Sequence, residues 1–257
     1  MAEVIAVTGK GGVGKTTVAA LIVRALVEAG KGPVLAVDAD PNLNLDAALG
    51  VRAEATVGDV REEGLERAAA LPGGMAKAEF LRMRIHEALV EAKGFDLLAM
   101  GRPEGPGCYC FANSILRACV DQVGKQYAYV VVDCEAGLEH LSRRTAGDVD
   151  VLVLLADPSM RSLDTVKRVT DLVEELKTKV GRIVFAFTRL GDGIPPELAA
   201  AAKERGLPEP RAIPEDAELR ELDVTGKALV GVGEDSPAFR AVKALLKEAG
   251  VLGRAEP

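Results

Sequence analysis

The chain has 257 residues, 48% hydrophobic and 28% charged, which is enough apolar mass for one large core and argues against a disordered chain. Its formal charge of -7 speaks against a nucleic-acid partner, because binding to phosphate backbones rests on basic surface. No apolar run reaches the roughly 18 residues of a membrane-spanning helix, and the N-terminus lacks signal-peptide anatomy, so a cytoplasmic protein acting without a membrane is expected.

In chain order, residues 3–8 form the first predicted strand. Its apolar run Val4-Ile5-Ala6-Val7 leads straight into Gly9-Lys10-Gly11-Gly12-Val13-Gly14-Lys15-Thr16, followed by Thr17. A helix is predicted over residues 15–29, stopped by Gly30 and Gly32. A strand that ends in a glycine-rich turn and opens a helix leaves backbone N–H groups free to surround phosphate oxygens, and the helix dipole favours negative charge there. The spacing is that of a P-loop, G-x-x-x-x-G-K-[ST]. In it the glycines close the backbone around the phosphates, Lys15 reaches the β and γ oxygens, and the Thr16 hydroxyl coordinates Mg²⁺. Lys10 has no evident task toward the phosphates of its own loop.

Residues 33–37 read as a second buried strand that delivers Asp38 and Asp40 at its carboxyl end, where ligands collect in a right-handed βαβ unit. Residues 43–75 carry only short helical stretches and the turn Pro72-Gly73-Gly74. A helix is predicted over 77–92 and a strand over 95–100. Residues 101–110 are a loop by composition, followed by a helix over 112–123. Residues 129–132 are apolar on both faces, as a central parallel strand is, and deliver Asp133. Further strands are predicted at 149–156, 182–187 and 211–213, with helices over 160–179, 195–205 and 236–249. This alternation predicts one α/β domain over residues 1–257, a P-loop NTPase with a mostly parallel central sheet of about seven strands and helices on both faces.

The candidate chemistry lies at the strand ends. Asp133 can hold Mg²⁺ through water, and Gly137, four residues on, can turn its N–H toward a γ-phosphate. Of Asp38 and Asp40, one can orient the attacking water while the other supports the metal, since phosphoryl transfer needs positioning and charge neutralisation. Four cysteines in a chain this long do not make a disulfide scaffold. Cys108 and Cys110, one residue apart, can chelate one face of a soft divalent ion, but two thiolates are too few for a complete centre. Cys119 falls on a helical pattern with Ile115, Leu116 and Val123 and reads as a small core residue. Cys134 is a switch-loop thiol, and His140 reads as helix packing.

Lys10-Gly11-Gly12-Val13-Gly14-Lys15-Thr16-Thr17 resembles the deviant P-loop of the MinD/ParA and nitrogenase iron-protein superfamily. Asp38-Ala39-Asp40-Pro41 and Asp133-x-x-Ala136-Gly137 match its two switch segments. The resemblance implies an ATP-dependent homodimer in which Lys10 reaches across to the partner's nucleotide. Gly107-Cys108-Tyr109-Cys110 and the stretch from Gly137 to Ala146 resemble the CooC/AcsF-type nickel-insertion ATPases, which mature carbon monoxide dehydrogenase and acetyl-CoA synthase. This implies a client metalloenzyme and a four-sulfur site for Ni²⁺ or Zn²⁺ on the dimer axis, built from Cys108 and Cys110 of each protomer.

The superfamily reads the base with an Asn-Lys after the sixth strand, where this chain has Thr188-Arg189. Thr188 can still offer a hydroxyl, and Pro214-Glu215-Asp216 resembles the second base-contacting turn. The guanine-reading Asn-Lys-x-Asp is absent, which favours ATP over GTP. A competing expectation is a MinD/ParA-like positioning ATPase acting on membrane or DNA. A membrane version wants a basic amphipathic terminal helix, and Phe239, Val242, Leu245 and Leu246 with Arg240, Lys243 and Lys247 supply a short one. The same stripe reads more simply as the core face of a last helix.

Overall fold

The strands place their apolar side chains alternately on two faces, so the sheet must be covered on both. Ile5 and Val7 of β1 (Glu3–Gly9) point to one side and Ala6 to the other; β6 (Val149–Ala156) splits Val151, Val153 and Leu155 from Leu152 and Leu154 in the same way. The computed structural model describes residues 2–66, 77–101, 126–134, 149–175 and 179–253. The remaining strands are β2 (Val34–Asp38), β3 (Val90–Ala92), β4 (Phe95–Ala99), β5 (Tyr129–Asp133), β7 (Val180–Leu190) and β8 (Pro210–Pro214). They form one sheet in the order β3-β4-β2-β5-β1-β6-β7-β8, parallel throughout except for β3 against β4.

One face is covered by α1 (Lys15–Glu28), α2 (Leu45–Leu49) and α8 (Pro237–Glu248), with Leu21, Ile22, Leu26, Phe239, Val242 and Leu246 in a common core with the sheet. On the other face, α5 (Met160–Glu175) and α6 (Pro196–Glu204) pack over Leu152, Leu154, Phe185 and Phe187, while α3 (Val57–Glu66) and α4 (Lys77–Glu87) cover Leu35, Val37 and Leu98. A short helix, α7 (Ala217–Val224), follows β8.

One expectation needs correction. The helix predicted over 77–92 ends at Glu87, and Val90–Ala92 turns back through Lys93-Gly94 to pair antiparallel with Phe95–Leu97. Gly94 takes φ +92, the left-handed conformation such a tight hairpin needs, and Val90 packs against the core. The sheet therefore has eight described strands instead of about seven. The apolar stripe of α8 is the core face that the sequence reading preferred, and it is not available to a membrane. Phe239, Val242 and Leu246 are 0% exposed, and the Arg24 guanidinium sits 4.2 Å over the Phe239 ring. Among the described residues no helix is long and apolar enough to cross a membrane.

The sheet register decides what meets what. Asp38 and Asp133 stand level at the ends of β2 and β5, and Val7, two residues before the P-loop begins at Gly9, is level with Asp133. The helix predicted over 112–123, with Cys119, lies outside the described residues, as do Cys108, Cys110, Gly137 and His140.

Candidate nucleotide site

Gly9 closes β1 with φ +156, and a Cβ there would stand 2.2 Å from the Leu155 carbonyl oxygen, so only glycine lets the loop leave the sheet at this point. Gly14 caps α1 in the left-handed conformation (φ 87) with no side-chain cap, which leaves the first N–H groups of the helix without an internal acceptor. Gly11 and Gly12 are exposed, Val13 is buried, and Lys15, Thr16 and Thr17 are half-buried. The Lys15 ammonium donates to the Lys10 carbonyl at 3.4 Å, folding back across its own loop.

The Thr16 hydroxyl donates to Asp133 Oδ2 at 2.6 Å. Asp133 is 1% exposed, and its other oxygen, Oδ1, is buried with no hydrogen-bond partner among the described residues. Burial pushes its pKa up to about 7; the Thr16 hydrogen bond works against this, and the charge of Asp38 adds to it. A buried carboxylate oxygen without a donor is costly unless something cationic completes it. The donors here are hard oxygens beside a P-loop, so the residues fit Mg²⁺, with Thr16 and Asp133 as the groups that would hold it.

The two acidic residues at the end of β2 differ in their surroundings. Asp38 is fully buried: Oδ1 accepts from the Asp40 N–H at 3.0 Å, and Oδ2 accepts from the Asn44 and Leu45 N–H groups, both at 2.9 Å. Burial raises its pKa against these three bonds. Asp38 therefore shapes the loop, with two donors on Oδ2 and one on Oδ1. Asp40 stays half-buried at the surface, its Oδ1 accepting from the backbone and side-chain nitrogens of Asn42 at 2.8 and 3.0 Å.

Lys10 finds a partner that the sequence had not suggested. Its ammonium lies 3.5 Å from Asp157 Oδ2, just past β6, with the two side chains 42% and 33% exposed. Asp157 is held in turn by the Ser159 hydroxyl, which donates to Oδ1, while its own N–H donates to Ser162 Oγ at 3.1 Å. An acidic residue at the carboxyl end of the strand next to the P-loop strand was the signal available.

Beyond the P-loop, a cavity of about 320 Å³ opens between α1, the end of β7 and α7. Gly14, Thr17, Thr188, Arg189, Pro214 and Asp216 line it, together with Leu219, Arg220 and Asp223 of α7, which sequence reasoning missed because that helix carries no motif. Thr188 is brought there, but its hydroxyl donates to the Val13 carbonyl at 2.8 Å. Asp216 is also committed elsewhere. Its Oδ1 accepts from Glu218 and Leu219 N–H, capping α7, and its Oδ2 accepts from the Ser236 hydroxyl at 2.6 Å and Ala238 N–H at the start of α8. Thr188 and the Pro214-Glu215-Asp216 turn thus line the cavity, while the Thr188 proton and the Asp216 carboxylate make bonds within the fold.

Cys134 is fully buried, and burial pushes its thiol pKa up to about 12, next to the Asp133 charge. It is an inert core thiol in this conformation. Among the described residues no three His, Cys, Asp or Glu side chains gather as metal ligands.

This fold and loop define a P-loop nucleotide-binding protein. A family model described as an AAA domain matches residues 2–184. An uncharacterized ATP-binding protein of Methanocaldococcus jannaschii is 43% identical over 247 residues, covering 95% of this chain and 97% of that one. The carbon monoxide dehydrogenase accessory protein CooC of Rhodospirillum rubrum is 37% identical over 186 residues, 68% of this chain and 70% of its own. The septum site-determining protein MinD of Pyrococcus horikoshii, solved with Mg-ADP, superposes with a TM-score of 0.71 at 25% identity, covering 99% of this chain and 100% of that one. The chain belongs to this AAA-domain family, within the MinD/ParA group of P-loop ATP-binding proteins.

Proposed function

We propose that this protein is an ATPase that cycles between monomer and dimer and delivers Ni²⁺ to a client metalloenzyme, carbon monoxide dehydrogenase or acetyl-CoA synthase. The observation that carries the nucleotide half is the Asp133 oxygen, without a partner among the described residues, beside the Thr16 hydroxyl at the mouth of a P-loop. The P-loop N–H groups and the start of α1 bind the phosphates, and Lys15 swings from the Lys10 carbonyl onto the β and γ oxygens. Mg²⁺, when bound by Thr16 and Asp133, offsets phosphate charge. Asp40, on the loop that Asp38 fixes, accepts a hydrogen bond from the attacking water, and Gly137 meets the γ-phosphate. Lys10 leaves Asp157 and reaches the partner's nucleotide, so dimer closure and ATP binding support each other.

The metal half is supported by Cys108-Tyr109-Cys110 together with the 37% identity to CooC. Paired across a two-fold axis, these thiols supply four sulfur ligands for Ni²⁺, with Zn²⁺ as the competing ion. Calorimetric titration of Ni²⁺ into wild type and the Cys108→Ser/Cys110→Ser variant, each with ATP, tests it. One ion per dimer in wild type and none in the variant is expected; equal binding in both sinks the metal reading.

A second reading, a positioning ATPase like MinD, is favoured by the superposition over nearly the whole of both chains. The buried stripe of α8 counts against its membrane version. Co-sedimentation with vesicles or DNA in the presence of ATP separates the two readings.

A further inference from the structure

Thr188 lies one residue past the last β6–β7 pair, Ala156 with Phe187, and is 3% exposed. Here β7 bulges: Thr188 pairs with Ile213, Leu190 pairs with Pro214, and Arg189 between them takes φ +57. The bulge turns Arg189 outward to the rim of the cavity and keeps Thr188 inward. The Thr188 hydroxyl then donates to the Val13 carbonyl at 2.8 Å, with the Ala156 carbonyl at 3.3 Å sharing the proton.

Val13 is wholly buried inside the P-loop between Gly12 (φ +79) and Gly14 (φ +87). In a planar trans peptide the C=O and the following N–H point in opposite directions. Fixing the Val13 carbonyl on Thr188 therefore aims the Gly14 N–H away from Thr188.

We propose that Thr188 is a positioning residue of the P-loop, holding the Val13–Gly14 peptide in the orientation that presents the Gly14 N–H to a nucleotide phosphate, and that it takes no part in reading the base. This rests on the ATP-site reading above. Gly14, whose φ is little restricted, allows the peptide to flip, and without the hydroxyl the buried carbonyl loses its donor and favours the flip. The apparent affinity then falls by the fraction of loops left in the competent orientation.

Calorimetric titration of ATP and GTP into wild type, Thr188→Val and Thr188→Ser tests it, with melting temperatures recorded for each. Thr188→Val should bind both nucleotides about tenfold more weakly, with an unchanged ATP-to-GTP ratio, while Thr188→Ser stays within twofold of wild type. A changed ratio means that Thr188 reads the base and overturns the proposal. Unchanged affinities with a lowered melting temperature mean a purely structural hydroxyl, and a serine variant as weak as the valine variant removes the hydroxyl as the agent; either overturns it. Should Thr188→Val fail to fold, Thr188→Ala is titrated in its place against the same outcomes. Wild type that binds neither nucleotide defeats the ATP-site reading itself, whereas a valine variant with wild-type affinity defeats only the role of Thr188.

Discussion

At the phosphate end of the site, Asp133 has a buried oxygen with no partner among the described residues; in the neighbouring cavity, Asp216 has donors on both oxygens, four in all. Burial drives Asp133 up to about 7. Burial works the same way on Asp216, but the Ser236 hydroxyl and the N–H groups of Leu219, Ala238 and Glu218 outweigh it and hold its pKa below the usual carboxylate range. Both are aspartates near the carboxyl ends of strands. One is left incomplete and suits a ligand; the other staples α7 and α8 together. A buried carboxylate is therefore a candidate for chemistry only when its own chain has left it unsatisfied.

The largest expected effect separates the two ends by function. Lys15→Ala should bring phosphate release down to background, at least a hundredfold below wild type, because it removes the loop's own phosphate cation. It should barely move the melting temperature, since among the described residues Lys15 donates to a loop carbonyl at 3.4 Å and to no other group. Residual turnover at the wild-type rate would place hydrolysis elsewhere.

Asp216→Ala should do the reverse. Losing the caps of two helices costs about 3 kcal/mol and lowers the melting temperature by roughly 9 °C. If calorimetric melting shifts by less than a degree, the staple is not real.

The third effect follows from proton linkage. Asp133 has a raised folded pKa, so between its ordinary value near 3.8 and about 7 the unfolded chain holds fewer protons, and the metal-free protein loses stability as pH rises through that window. Asp216, with its lowered pKa, contributes stability that is present above the ordinary value and lost only in more acid solution. In Mg²⁺-free melts the advantage of Asp133→Asn over wild type should widen by several degrees from pH 5 to pH 8. A constant difference would show that the Asp133 carboxylate is already satisfied.

The smallest effect concerns Lys10. Its pair with Asp157 is half exposed and weak, so Asp157→Asn should promote ATP-dependent dimerisation by no more than about fivefold, read by light scattering. A weaker dimer would mean that Asp157 serves the dimer and does not compete with it.

Much of the phosphate end was legible in the sequence because its chemistry is local. Glycine spacing, Lys15 and Thr16 lie within eight residues of one another, and Asp133 follows an apolar run that reads only as a central strand. The different surroundings of Asp38 and Asp40 were not legible, because they depend on which N–H groups of residues 40–45 fold back onto the buried carboxylate. Nor was β3: three residues after a helix carry too short a pattern to separate from it, and only the free edge of β4 makes them a strand.

By itself the sequence determined the alternation of strand and helix, the P-loop, and which carboxylates arrive at the strand ends. These follow from hydrophobic period and from glycine, both properties of neighbouring residues. Tertiary structure decided which of those polar groups stay available. Thr188 and Asp216 are bound by partners up to 175 residues away, and Asp133 Oδ1 is bound by none among the described residues. Satisfaction of a buried polar atom is set by what the fold brings against it, and no spacing along the chain records that.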